Sequence, residues 1–156
     1  MIHEMKLNDE PFTSIRAGTK VIELRLNDEK RRKLAVGDKI EFTNRDTNEK
    51  IMTEVIKLHN YQNFEELYKH FDKISLGYSD DEVANPNDMN KYYKEEDQNK
   101  YGVVGIEIKL IKWMNKLINK YSCIKRRRVE NEKNYIYNCG SIISIFNRST
   151  NIFQKF

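Results

Sequence analysis

A chain of 156 residues, 38% hydrophobic and carrying seventeen aromatics, is long enough for one domain with a real core and too apolar for disorder. Its net charge of +4 hides an asymmetry: residues 1–111 hold 18 Lys+Arg against 22 Asp+Glu, and residues 112–156 hold 10 against 2. No run approaches the ~20 apolar residues a bilayer span needs, and the first six residues carry no apolar leader core, so a cytoplasmic protein is expected.

In chain order, His3–Leu7 predicts a short strand with Met5 and Leu7 on one face. Asn8 or Asp9 can cap the helix that follows, Pro11 is tolerated in its first turn, and Gly18 stops it. Phe12 and Ile15 give this helix a narrow apolar side. Lys20–Leu26 alternates cleanly, with Ile22, Leu24 and Leu26 on one face and Val21, Glu23 and Arg25 on the other. Asn27–Leu34 begins with a cap and acids and ends with bases, an order that predicts a short exposed helix. Val36-Gly37-Asp38 is a turn, and Lys39–Thr43 and Lys50–Leu58 read as a hairpin.

Asn63–Phe71 predicts a helix with Phe64, Leu67, Tyr68 and Phe71 on one side. Tyr78–Gln98 is acidic and irregular, with a helix expected after Pro86. Val103–Ile111 is the last strand of the body, with Ile106, Ile108 and Leu110 pointing one way. About five strands and short helices in non-alternating order predict an α+β fold: a small mixed β-barrel with short flanking helices, not a doubly wound sheet.

Composition changes near Ile111. Both prolines and five of the six glycines precede it. A domain over residues 1–111 and a basic C-terminal extension over 112–156 are therefore expected. The extension is helical at its start on paper, where Trp113, Met114, Leu117, Ile118 and Tyr121 fall at helical spacing and Lys112, Lys116 and Lys120 lie opposite; the remainder is expected to be poorly ordered. It reads as a nucleic-acid arm, a membrane-surface helix or an appendage with no selected role, and the last is favoured. Cys123 and Cys139 are too few for a disulfide framework, and His3, His59 and His70 show no ligand spacing, so neither a zinc site nor a cofactor is expected.

Gly18-Thr19-Lys20-Val21-Ile22-Glu23-Leu24-Arg25 carries the most informative pattern. Gly-x-Lys-x-x-Glu-x-Arg at the opening of a strand resembles the signature of ASCH domains. Val36-Gly37-Asp38-Lys39-Ile40-Glu41-Phe42 is similar to that family's next strand, and Tyr92–Glu96 with Tyr101–Ile108 is similar to the end of its small bacterial members. The resemblance implies a PUA-like β-barrel with a cleft beside the signature strand, and RNA or a nucleotide as partner. Some small members are hydrolases that remove acyl groups from N4-acylcytidine. Their pattern is Lys-x-x-Thr, whereas Glu23 here stands three residues after Lys20, so the hydroxyl nucleophile is missing at that position. Binding is the first expectation, and an amidohydrolase using Lys20 and Glu23 is the alternative.

The residues themselves allow the same reading. Lys20 and Arg25 can neutralise phosphate, Arg25 bidentately, while Glu23 can accept from an exocyclic amine or act as a general base. The competing reading is an exposed Glu23–Arg25 pair worth under about 1 kcal/mol. Of Tyr92, Tyr93 and Tyr101, each able to stack on a base, Tyr101 is the one retained as a ligand-binding candidate. Lys30-Arg31-Arg32-Lys33 reads first as a solvated helix face.

Overall fold

The computed structural model describes residues 1–112 and Asn115. Five strands and several short helical segments run as β1 (Ile2–Leu7), α1 (Asp9–Ala17), β2 (Ile22–Leu26), β3 (Lys39–Asn44), β4 (Lys50–Tyr61), α2 (Phe64–Tyr68), α3 (Lys73–Leu76), α4 (Glu95–Tyr101) and β5 (Val103–Leu110). Short 3₁₀ segments occupy Arg31–Lys33, a single turn, and Pro86–Lys91, two turns. The strands form one sheet in the order β1-β3-β4-β5-β2. Only β1 and β3 pair in parallel; the other neighbours are antiparallel. This is the expected α+β arrangement, a sheet curled into a half-barrel.

The curl has a local cause. β4 bulges between Val55 and Lys57, where its pairing with β5 shifts register. An extra residue on one strand bends it and raises its twist. It also changes which side chains face inward: Ile51 and Val55 reach the inner core before the bulge, and Leu58 reaches it after. That core is closed by Met5 and Leu7 of β1, Phe12 and Ile15 of α1, Ile40 and Phe42 of β3, and Val104, Ile106 and Ile108 of β5. A second apolar cluster covers the outer face of β2 and β5, where Ile22, Leu24 and Val103 meet Phe64, Leu67, Leu76 and Met89.

Several elements differ from expectation for visible reasons. The helix predicted over Asn27–Leu34 is reduced to one 3₁₀ turn, which begins where Asp28 accepts from the Arg31 N–H at 2.9 Å. It cannot lengthen, because Gly37, at φ 87°, must turn the chain into β3. The helix expected over Asn63–Phe71 ends at Tyr68. Asn63 caps it by accepting from the Glu66 N–H at 2.9 Å, and tight i→i+3 bonds then close it before Asp72 caps α3. The acidic run at the end of the stretch expected to be irregular opens α4. Glu95, Glu96 and Asp97 lie in the first turn, where the helix dipole favours them, and Gln98 is buried against Asn90 and the Tyr93 carbonyl.

Among the described residues, no helix is long and apolar enough to cross a membrane. Nearly all of the 112–156 extension lies outside the described residues. Lys112 and Asn115 are the exceptions, and the Asn115 side chain is buried and bonds both the N–H and the carbonyl of Met52 on β4.

Candidate functional site

β2 is short and lies at the sheet's edge, but both of its faces are covered. Residues opposite one another on paired strands share a face. Glu23 stands opposite Ile106 and Arg25 opposite Val104, so both aim at the concave side, while Ile22 and Leu24 face the outer helical layer. The alternation holds from Ile22 to Arg25, whereas Val21, expected beside the charges, packs against the outer cluster; and the charged face is not a solvent face. Glu23 is only 3% exposed and Lys20 only 6%.

Lys20 is placed by the end of α1. Gly18 adopts the left-handed conformation at φ 85°, and the Ser14 carbonyl then accepts from the N–H groups of Gly18, Thr19 and Lys20. The Lys20 ammonium donates to the Leu76 carbonyl at 2.5 Å and lies 3.8 Å from Glu23 Oε2. Leu76 ends α3, so the charge sits at the negative end of that short helix. Gly77 makes room for it: a Cβ there would lie 2.9 Å from Lys20 Cδ, and at φ 106° the backbone itself favours glycine.

Arg25 NH1 lies 2.9 Å from Glu23 Oε1 and also donates to the Tyr93 hydroxyl and the Leu24 carbonyl, each at 3.3 Å. Its NH2 donates to the Lys6 carbonyl at 3.3 Å. Lys6 lies on β1 and Arg25 on β2, the two edge strands. The guanidinium therefore bridges the seam where the curled sheet brings its edges together, a position that suits a planar fork of donors.

The electrostatics follow from burial. Loss of water pushes the Lys20 ammonium below its ordinary pKa, with Arg25 adding to this and Glu23 opposing it. Burial would also lower Arg25, but Glu23 and Tyr93 more than offset it and raise the guanidinium above its usual value. The formal charges leave one positive charge in excess. Two buried atoms here make no hydrogen bond among the described residues: Glu23 Oε2 and Arg25 Nε. A buried carboxylate oxygen without a hydrogen-bond donor costs roughly 1–3 kcal/mol or more, which the Lys20 ammonium, 3.8 Å from Oε2, offsets in part.

Lys20, Glu23 and Arg25 are thus brought together. Tyr101 is not part of the group. It ends α4, its ring lies under the Lys100 ammonium at 4.7 Å, and its carbonyl accepts from Arg32 at 3.4 Å. The tyrosine that reaches Arg25 is Tyr93, whose ring also stacks on Phe64 at 5.7 Å. Tyr93 lies in the Tyr78–Gln98 stretch that the sequence leaves irregular, and Gly77 stands immediately before it. The signal available there was modest: a glycine following the capped run Asp72–Leu76, and a tyrosine seven residues beyond Pro86.

A model of the ASCH domain matches residues 5–112, which contain the whole cluster. The chain belongs to the ASCH domain family. It is a PUA-like family proposed to bind RNA. No curated protein matches the chain. Among solved structures, the hypothetical protein PH0355 is 34% identical, with a TM-score of 0.61 over 71% of this chain and 100% of that chain. Protein PF0455 from Pyrococcus furiosus is likewise 34% identical, with a TM-score of 0.54 over 71% of this chain and 98% of that one.

Proposed function

We propose that this ASCH domain binds single-stranded RNA or a nucleotide by receiving an unpaired base, with its phosphate, at the Lys20–Glu23–Arg25 cluster. The observation that carries the reading is the unmatched Glu23 Oε2, buried between two cations. A base edge offers what it lacks: an exocyclic amine donates to a glutamate, as the cytosine N4 amine does. The excess positive charge attracts the phosphate, and Arg25 Nε offers a further donor. Sequence-specific RNA recognition works on splayed, unstacked bases, which suits a small buried site better than a broad basic face.

The same chemistry explains how an acidic body, at −4 over residues 1–111, can hold a nucleic acid. Its footprint is small, so the salt dependence is shallow, with a slope of about −0.7 per phosphate neutralised on a single strand. The ligand enters by exchanging contacts that close the cluster now: Lys20 to the Leu76 carbonyl and Arg25 to the Tyr93 hydroxyl.

The test is a titration of a mixed-sequence RNA octamer and of the four nucleoside 5′-monophosphates against the wild type, Lys20→Ala and Arg25→Ala. The expected result is at least a tenfold loss of affinity in each variant, with circular dichroism spectra unchanged. Equal affinity in all three proteins overturns the site. The amidohydrolase alternative asks Glu23 to activate water, since the hydroxyls nearest to it in sequence, Thr19 and Ser14, are donated to main-chain carbonyls. Incubation with N4-acetylcytidine separates the readings. The binding account expects no turnover above a Glu23→Gln control, and turnover that depends on Glu23 selects the hydrolase.

A further inference from the structure

We infer that a hollow beside the cluster, lined by Lys6, Thr43, Asn44, Arg45 and Asn48, is a second subsite that holds the sugar–phosphate backbone of the same RNA strand. The inference rests on the proposed RNA reading and extends it from one nucleotide to a strand.

The hollow lies where β1 and β3 end. Lys6 belongs to both places. Its carbonyl accepts from Arg25, while its side chain points away from the core side taken by Met5 and Leu7 and lines the hollow. A strand whose base sits at the seam therefore needs only to cross the edge of β1 to reach it. The open volume of about 290 Å³ is roughly ten times the ~30 Å³ share of one water, which leaves room for a phosphate group.

The side chains that line the hollow set the ligand class. Lys6 and Arg45 are exposed and make no ion pair among the described residues. Of the carboxylates nearby, Glu41 pairs with Lys50, Glu49 with Arg16 at 2.8 Å, and Asp9 accepts from Asn44 at 2.8 Å, while Glu4 and Asp46 are exposed and lie outside the lining. Among the described residues, no carboxylate lines the hollow. The Thr43 hydroxyl and the Asn48 amide add neutral donors that make no hydrogen bond among the described residues.

The rim is built, not incidental. Asn44 is 1% exposed, and its Oδ1 accepts from the Asp46 and Thr47 N–H groups at 2.9 and 3.2 Å. Its carbonyl accepts from the Asn48 N–H, which holds Asn48 in the left-handed conformation at φ 57°. Two cations and two neutral donors, Lys6 and Thr43 at strand ends and Arg45 and Asn48 on a fixed turn, match a phosphodiester, which positions a strand without reading its sequence.

The experiment compares the full-length wild type with Lys6→Ala/Arg45→Ala and Lys6→Arg/Arg45→Lys. The probes are a fluorescein-labelled mixed-sequence RNA octamer between 50 and 200 mM salt, and cytidine 5′-monophosphate. In the alanine variant, octamer affinity falls at least tenfold at 50 mM salt, and the salt slope shrinks by about 1.4, two phosphates at ~0.7 each. Cytidine monophosphate binding stays at the wild-type level, and the charge-keeping variant restores the octamer. Unchanged octamer affinity and slope overturn the subsite, as does an equal loss for the mononucleotide. Competition by an octaglutamate peptide as strong as that of unlabelled RNA overturns the nucleic-acid assignment. If Glu23→Gln leaves both probes unaffected while the alanine variant weakens the octamer, base recognition at the seam fails and the subsite stands. No octamer binding by the wild type overturns both.

Discussion

The half-barrel buries both its centre and its seam, the seam a little less completely because Arg25 is partly exposed, yet the two regions are made of opposite materials. At the centre, Ile40, Phe42, Val55 and Ile106 fill the space between β3, β4 and β5 with hydrocarbon. At the seam, Lys20, Glu23 and Arg25 take equivalent positions on β2 and on the turn leading into it. The centre gains stability from every methyl group removed from water. The seam loses water from three charges and recovers only part of it, because Glu23 Oε2 and Arg25 Nε stay unmatched. Burial at the centre serves the fold, and at the seam it leaves polar groups that the proposed ligand would satisfy.

Single truncations test the contrast with the largest effects. Phe42→Ala empties a fully buried site and is expected to cost about 3–5 kcal/mol, seen as a lower urea midpoint. Glu23→Ala is expected to cost a similar ~3–5 kcal/mol, for a different reason: two buried cations lose the charge between them. The contrast sharpens when the whole charged set is replaced. Lys20→Met/Glu23→Leu/Arg25→Met is expected to be neutral or to gain up to about 4 kcal/mol, while RNA binding disappears. A strongly destabilised triple variant would place the seam among the structural parts of the fold.

Gly77→Ala comes next. A side chain there meets Lys20 and must adopt an unfavourable φ, for an expected cost of about 2 kcal/mol and displacement of the ammonium from the Leu76 carbonyl. The smallest effect is a pH slope. Lys20 has a lower pKa folded than unfolded, so above the folded value the unfolded chain holds more protons. Its contribution to stability therefore rises with pH, from the depressed pKa up to the ordinary Lys value near 10.5, as the cost of its buried charge is relieved. Subtracting the Lys20→Met stability profile from the wild-type profile is expected to leave that rising alkaline limb. A flat difference contradicts a buried, depressed lysine.

Much of this contrast could be read from the chain, and the limits are instructive. Alternation located β1, β2, β3 and β5, Gly18 and Asn63 marked their helix ends, and the Gly-x-Lys-x-x-Glu-x-Arg run named the three charged residues the fold brings together. Alternation also misled, because one apolar and one charged face normally mean one wet side. What covers the charged face is contributed from far along the chain: the Leu76 carbonyl, Gly77 and Tyr93 reach it through tertiary packing that leaves little periodic trace. The bulge at Ile56 was hidden for a related reason. An extra residue in a strand breaks no local preference and shows only when the partner strand is in place. Tyr101 looked like the ligand-binding tyrosine because of the flexible glycine after it, but proximity to Arg25 is decided by the path of the 78–93 segment.

The central claim is that Glu23 keeps one carboxylate oxygen for a ligand. Glu23→Gln tests it most directly, because the amide keeps the shape and can still accept from Arg25 while the charge and one acceptor are lost. Isothermal titration with the RNA octamer and the four nucleoside monophosphates, beside a melting curve, is the measurement. The account predicts at least a tenfold weaker binding of the preferred nucleotide, measured below the melting transition, together with a lowered melting temperature, since the two buried cations lose their counter-charge. Unchanged affinity for every ligand, with the fold intact, would contradict it.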